Sequence, residues 1–105
     1  MEGFHSKLKS QDIDELFEVI VMLKTQEECY RFFEDVCTIS ELHAIAQRLQ
    51  VAKLLRSNVT YQEIAQRLGA STATISRVNR CLSYGAGGYQ GMLDRLEEKN
   101  KEKEP

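Results

Sequence analysis

Residues 60–82 read TYQEIAQRLGASTATISRVNRCL, two short helical runs separated by a glycine. Thr60 can cap the first run, and Glu63 three residues later completes a capping box. Ala65 falls where two helices would cross, and only a small side chain there lets them approach. Ile64 and Leu68 lie on the inward side of the first run. Gly69 takes the turn, where a positive φ carries no Cβ penalty, and Ser71 caps the second run. Ile75 and Val78 face inward from the second run, and none of these inward positions is charged. The spacing predicts helices over about 61–68 and 72–84, packed as a helix-turn-helix.

With Ile75 and Val78 turned inward, a helical wheel leaves Ser71, Thr72, Ala73, Ser76, Arg77 and Arg80 facing out. Small polar side chains at the start of a helix permit close approach to base edges in the major groove of double-stranded DNA. Arginines further along can bind phosphates or reach guanine, and the exposed amides of a helix N-terminus favour a phosphate. No acid lies on this outward face, as a surface approaching a polyanion requires.

The rest of the chain is helical in period. Ile13, Leu16, Phe17, Ile20 and Val21 recur at intervals of three and four, opposite Asp12, Asp14, Glu15 and Glu18. From about Gln26, Cys29, Phe32, Phe33 and Val36 share a face. Thr38 with Glu41 has capping-box spacing, Ser40 is a competing cap, and either starts a third helix ending near Arg56. That helix is apolar over a wide arc, which predicts burial on several sides. Gly85, Ala86, Gly87 and Gly88 then stop the chain, and a last segment sets Tyr89, Met92, Leu93 and Leu96 on one side. The expected class is all-α, without strands, in a single domain spanning 1–105. Within it, residues 10–56 are N-terminal helices for dimerisation and scaffold, and 60–84 the helix-turn-helix. Residues 89–97 form a C-terminal helix, and 98–105 a polar tail that frays.

The first two helices each carry bulky apolar residues that one short chain has little surface to cover. Periodicity does not choose between packing within one subunit and packing between two. Burial of Phe17, Ile20, Phe32 and Phe33 between subunits is the expectation.

Composition and charge agree with a binding protein. The 105 residues are 42% hydrophobic and 29% charged, an ordinary globular balance. Net charge is −2, which alone disfavours a nucleic-acid partner, but its distribution reverses that. From residue 42 to 84 there are six bases (Arg48, Lys53, Arg56, Arg67, Arg77, Arg80) against one acid, Glu63, or +5; the remaining eight bases face fifteen acids, or −7. A basic working face with acidic flanks follows.

Other classes find little support. The three cysteines, Cys29, Cys37 and Cys81, make no C-x-x-C pair. On one helix, Cys29 and Cys37 would lie about 12 Å apart, beyond the ~7 Å limit for a disulfide, and small buried thiols are expected. His5 and His43 have no clustered partners, so no metal site is expected. There is no phosphate loop and no nucleophile beside a base, so no enzyme is expected. No stretch reaches the ~18 apolar residues of a membrane span, and the N-terminal residues lack an export signal. A cytoplasmic protein is expected.

The LGASTATISR stretch followed by Asn79-Arg80-Cys81-Leu82 resembles the Trp repressor-like helix-turn-helix family, most closely its YerC/YecD subgroup. The resemblance extends back through QRLQVAKLLRSNVTYQEI into the N-terminal helices. It implies a six-helix all-α fold, an intertwined homodimer made largely by the N-terminal helices, and operator binding through two symmetric heads. The family's base- and phosphate-contacting positions fall on Gln62, Gln66, Thr72, Ala73, Thr74 and Ser76; Thr74 enters by resemblance alone. The family's indole pocket uses two arginines, a glycine and a serine. Arg77 matches one arginine, but Val78 stands at the glycine position and Cys81, a weaker hydrogen-bonding partner, at the serine position. The second arginine falls near Gln47 or Arg48. Tryptophan is therefore not expected as corepressor, and the residues name no other effector.

The expected function is a sequence-specific transcriptional regulator, a repressor, reading the major groove with the helix 72–84. The alternative is a protein-interaction module that uses the same hairpin without specific DNA binding.

Overall fold

The computed structural model describes residues 3–103. Six helices follow in order: α1 (Gln11–Ile20), α2 (Gln26–Val36), α3 (Ile39–Arg56), α4 (Tyr61–Leu68), α5 (Thr72–Tyr84) and α6 (Gly88–Glu102). No strand occurs among the described residues, and no helix among them is long and apolar enough to cross a membrane. The chain divides into two compact units, Met1–Ile39 and Ser40–Pro105.

In the N-terminal unit the helix starts are set by side-chain caps. Ser10 Oγ accepts the amide of Ile13 at 3.2 Å, and Thr25 Oγ1 accepts that of Glu28 at 3.1 Å. The Glu28 carboxylate in turn accepts the Lys24 amide at 2.8 Å, so the second cap is reciprocal. Both helices are strongly amphipathic, yet neither buries a single residue. Phe32 and Phe33 meet edge to face, with ring centroids 5.2 Å apart.

The C-terminal unit has a true core. Val51 and Ala52 of α3, Ile64 of α4, Ala70 of the turn, Ile75 and Val78 of α5 and Leu93 of α6 are buried together. Leu54, Leu55, Val59, Ala65, Leu68, Leu82, Tyr89 and Leu96 pack around them. Each of Val51, Ile64, Ile75 and Val78 is fully enclosed, and burial of such a side chain contributes ~1.5–3 kcal/mol. Of the inward positions read from the spacing, Ile64, Ile75 and Val78 are thus in the core, and Ala65 and Leu68 pack around it.

The two turns that flank α4 each carry a residue with positive φ. Asn58 (φ 63°) follows α3, with its amide on the Leu55 carbonyl at 3.0 Å and the Val59 amide on the Leu54 carbonyl at 3.1 Å. That pair of bonds is a Schellman motif, with Val59 laid back beside Leu54. Gly69 (φ 68°) ends α4, its amide on the Ala65 carbonyl at 2.9 Å.

Four expectations need correction. The α3 helix is not buried on several sides: Val51 and Ala52 are enclosed, but Ile39, Ile45 and Leu49 nearer its start are exposed in the single chain. Helix α6 continues to Glu102, past the expected end at 97, because its polar final turns are good helix formers without a breaker. Cys29 and Cys81 are exposed, and Cys37, at the end of α2, is half-buried. The first lies on a helix that buries no residue, and the second lies off the inward line of Ile75, Val78 and Leu82. Finally, Glu63 does not close a capping box with Thr60. Thr60 Oγ1 accepts the Glu63 amide at 3.2 Å, but the Glu63 carboxylate turns to Arg67, one helical turn on.

Candidate nucleic-acid interface

The turn between α4 and α5 sets the exposure of the residues expected to face DNA. Ile64 and Ala65 seat α4 on the core, Gly69 reverses the chain, and Ser71 caps α5 by accepting the Thr74 amide at 3.1 Å. Burial of Ile75 and Val78 then fixes the rotation of α5 about its axis. As a result Ser71, Thr72, Ala73, Ser76, Arg77 and Arg80 are exposed together. Gln62 and Gln66 are exposed on α4, one turn apart. Thr74 differs from the rest: it is half-buried, and its hydroxyl accepts a hydrogen bond from Ser71 Oγ at 3.0 Å.

Position is reinforced by two amide side chains from distant parts of the sequence. Gln47 Nε2 on α3 donates to the Leu68 carbonyl at 3.1 Å, one of the terminal carbonyls of α4 that lack an intrahelical partner. Gln90 Nε2 on α6 donates to the Leu82 carbonyl near the end of α5, also at 3.1 Å. At the same junction a Cβ on Gly85 would lie 2.4 Å from the Cys81 carbonyl oxygen, so glycine alone fits this exit from α5.

The charges of the basic segment divide by role. Arg56 is only 20% exposed and is tied to α6, at 2.7 Å from Asp94, 3.3 Å from Glu97 and 3.2 Å from the Gln90 carbonyl. It anchors α6 on α3 and adds little to a basic face. Arg67 is paired with Glu63, which neutralises the single acid of the segment. Arg77 and Arg80 have no ion-pair partner among the described residues, so their charge faces solvent. The six bases are therefore not equivalent, although they look alike in sequence. The partners of Arg56 lie 38 and 41 residues away, beyond any local pattern.

The positions that match the family's indole pocket are dispersed in character. Val78 is 1% exposed and belongs to the core, Cys81 is exposed, and Gln47 is engaged with Leu68. Among the described residues no group of three or more His, Cys, Asp or Glu could hold a metal ion.

Comparison with known proteins gives a consistent answer. Residues 11–97 match the family described as Trp repressor protein. The chain is 54% identical over 96 residues to the uncharacterized protein YerC of Bacillus subtilis (strain 168), an alignment covering 91% of this chain and 92% of that protein. It is 33% identical over 86 residues to a Trp operon repressor homolog of Chlamydia caviae, covering 81% and 85%. The crystal structure of a TrpR-like protein from Eubacterium eligens ATCC 27750 superposes with a TM-score of 0.83 at 55% identity, over 87% of this chain and 94% of that one. On the family match, the identities and the structural superposition, the chain belongs to the Trp repressor family.

Proposed function

We propose that the protein is a sequence-specific, homodimeric transcriptional regulator, a repressor, that binds double-stranded DNA with α5 in the major groove. The observation that carries this reading is the acid-free outward face of α5, with Gln62 and Gln66 of α4 exposed in the same helix pair. There the exposed side chains of Gln62, Gln66, Ser71, Thr72, Ala73 and Ser76 adjoin the unpaired Arg77 and Arg80. Short hydroxyl and methyl side chains at the helix start suit base edges, and the arginines further along suit phosphates. Thr74 is half-buried, and both its amide and its hydroxyl are engaged with Ser71, so it helps to fix the start of α5.

The dimer reading rests on the uncovered apolar faces. Phe17 is 53% exposed, and Ile20, Phe32 and Phe33 are only half-buried in the single chain. A second copy would cover them and set two reading helices about one DNA turn apart, ~34–36 Å. Tryptophan is not a corepressor on this reading, because the core side chain Val78 occupies the position a ring-stacking glycine would need. No catalytic role is assigned.

Titration of a duplex selected from a random-sequence pool, between 50 and 200 mM salt, tests the reading. Affinity should fall by orders of magnitude over that range, whereas an apolar protein–protein contact through the same hairpin would hardly change. Arg80→Ala should weaken all duplexes and lower the salt slope by about one phosphate. Thr72→Ala should instead shift base preference by ~1–3 kcal/mol at one position. Uniform losses in both variants would show that the reading face is wrongly assigned.

A further inference from the structure

Tyr61, Gln62, Ala65 and Gln66 of α4 and Thr72 of α5 line an open groove on the C-terminal unit. Three of these five residues, Gln62, Gln66 and Thr72, belong to the proposed reading face; Tyr61 was singled out by neither the wheel nor the family positions. It is the first residue of α4, one turn before the enclosed Ile64, and it is 38% exposed. Its hydroxyl has no hydrogen-bond partner among the described residues. No charged side chain lines the groove, and Glu63, the acid of α4, is held by Arg67.

Resting on the DNA-binding reading, we propose that Tyr61 is a backbone-contacting residue of the interface, its phenol O–H donating to a phosphate oxygen of the strand that borders the major groove. In a helix-turn-helix the second helix occupies the groove while the first crosses the backbone, which places the start of α4 at a phosphate and not at a base. The bases of an intact duplex are stacked on one another, so the Tyr61 ring finds no open base face. A hydroxyl meeting a phosphate makes a hydrogen bond to a charged acceptor, stronger than one between neutral groups. Because the donor is neutral, the contact releases no counterion, and this separates it from the arginine contacts.

The test compares wild type with Tyr61→Phe, which keeps the ring and removes only the hydroxyl. Each is titrated with a duplex selected from a random-sequence pool and with a scrambled duplex of equal length, between 50 and 200 mM salt. Affinity for both duplexes should fall by the same factor, about tenfold, with the salt slope, base preference and melting temperature unchanged. Wild-type affinity in the variant overturns the proposal. So does a loss confined to the selected duplex, which would make Tyr61 a base reader, or a loss matched by lower thermal stability, which would make it structural. If Arg80→Ala weakens binding and Tyr61→Phe does not, Tyr61 fails while the DNA reading stands. A wild-type protein that binds neither duplex refutes both.

Discussion

The two units use the same local chemistry and reach different ends. Helices α1 and α2 have side-chain caps and apolar stripes comparable to those of α4 and α5, yet they enclose nothing, whereas the C-terminal unit encloses seven residues. Caps and amphipathicity make a helix; a core needs a second apolar surface to lie against. The C-terminal unit supplies that surface from α3, α4, α5 and α6 within one chain. The N-terminal unit presents Leu16, Phe17, Val21, Met22 and Val36 to solvent, and its stability is expected to depend on a partner.

The sharpest break between the units should come from Phe33→Asp. Under the dimer reading it places a charge in an apolar interface, and specific DNA affinity should fall at least ~10³-fold, to the non-specific level. Sedimentation alongside a DNA titration checks this. A wild-type monomer that binds a single half-site at full strength would remove the contrast altogether. Next in size is Ile75→Ala, which opens a cavity in the enclosed core and should cost ~2–5 kcal/mol. Denaturant melts at low and high protein concentration should give the same loss for this variant, whereas truncating Phe17 should matter more when the protein is dilute. Gly69→Ala should cost about 1–2 kcal/mol, the penalty of a left-handed backbone for an L-residue, read from the same melts. Smallest is Arg31→Ala. It removes an exposed pair to Glu27 at 2.7 Å, and the change should stay within about 0.5 kcal/mol.

What could be read in the sequence was whatever is local. The bounds of α4 and α5 were legible because Thr60, Gly69 and Ser71 act within three or four residues of themselves, and Ile64, Ile75 and Val78 repeat at helical spacing. The outward set on α5 followed from the same spacing. Asn58 was missed because asparagine is only an occasional left-handed terminator, although the Val59 that follows it was a usable signal. Arg56, Gln47 and Gln90 were illegible in role, since their partners are set by tertiary packing across 8 to 41 residues. The cysteines misled because their small size was read as burial, while exposure depends on which side of the helix they occupy.

The positive φ values at Asn58 and Gly69 have a consequence for chirality. A Cβ built on Gly69 would meet nothing within 4 Å, so the only obstacle to a side chain there is handedness, not space. A D-residue prefers the backbone region that an L-residue avoids, and it restricts the unfolded chain as well. D-alanine introduced at position 69 by chemical ligation should therefore hold the turn more firmly than glycine does. The mirror-image centre would sit in a fold otherwise built of L-residues, beside α5, whose own residues are unchanged.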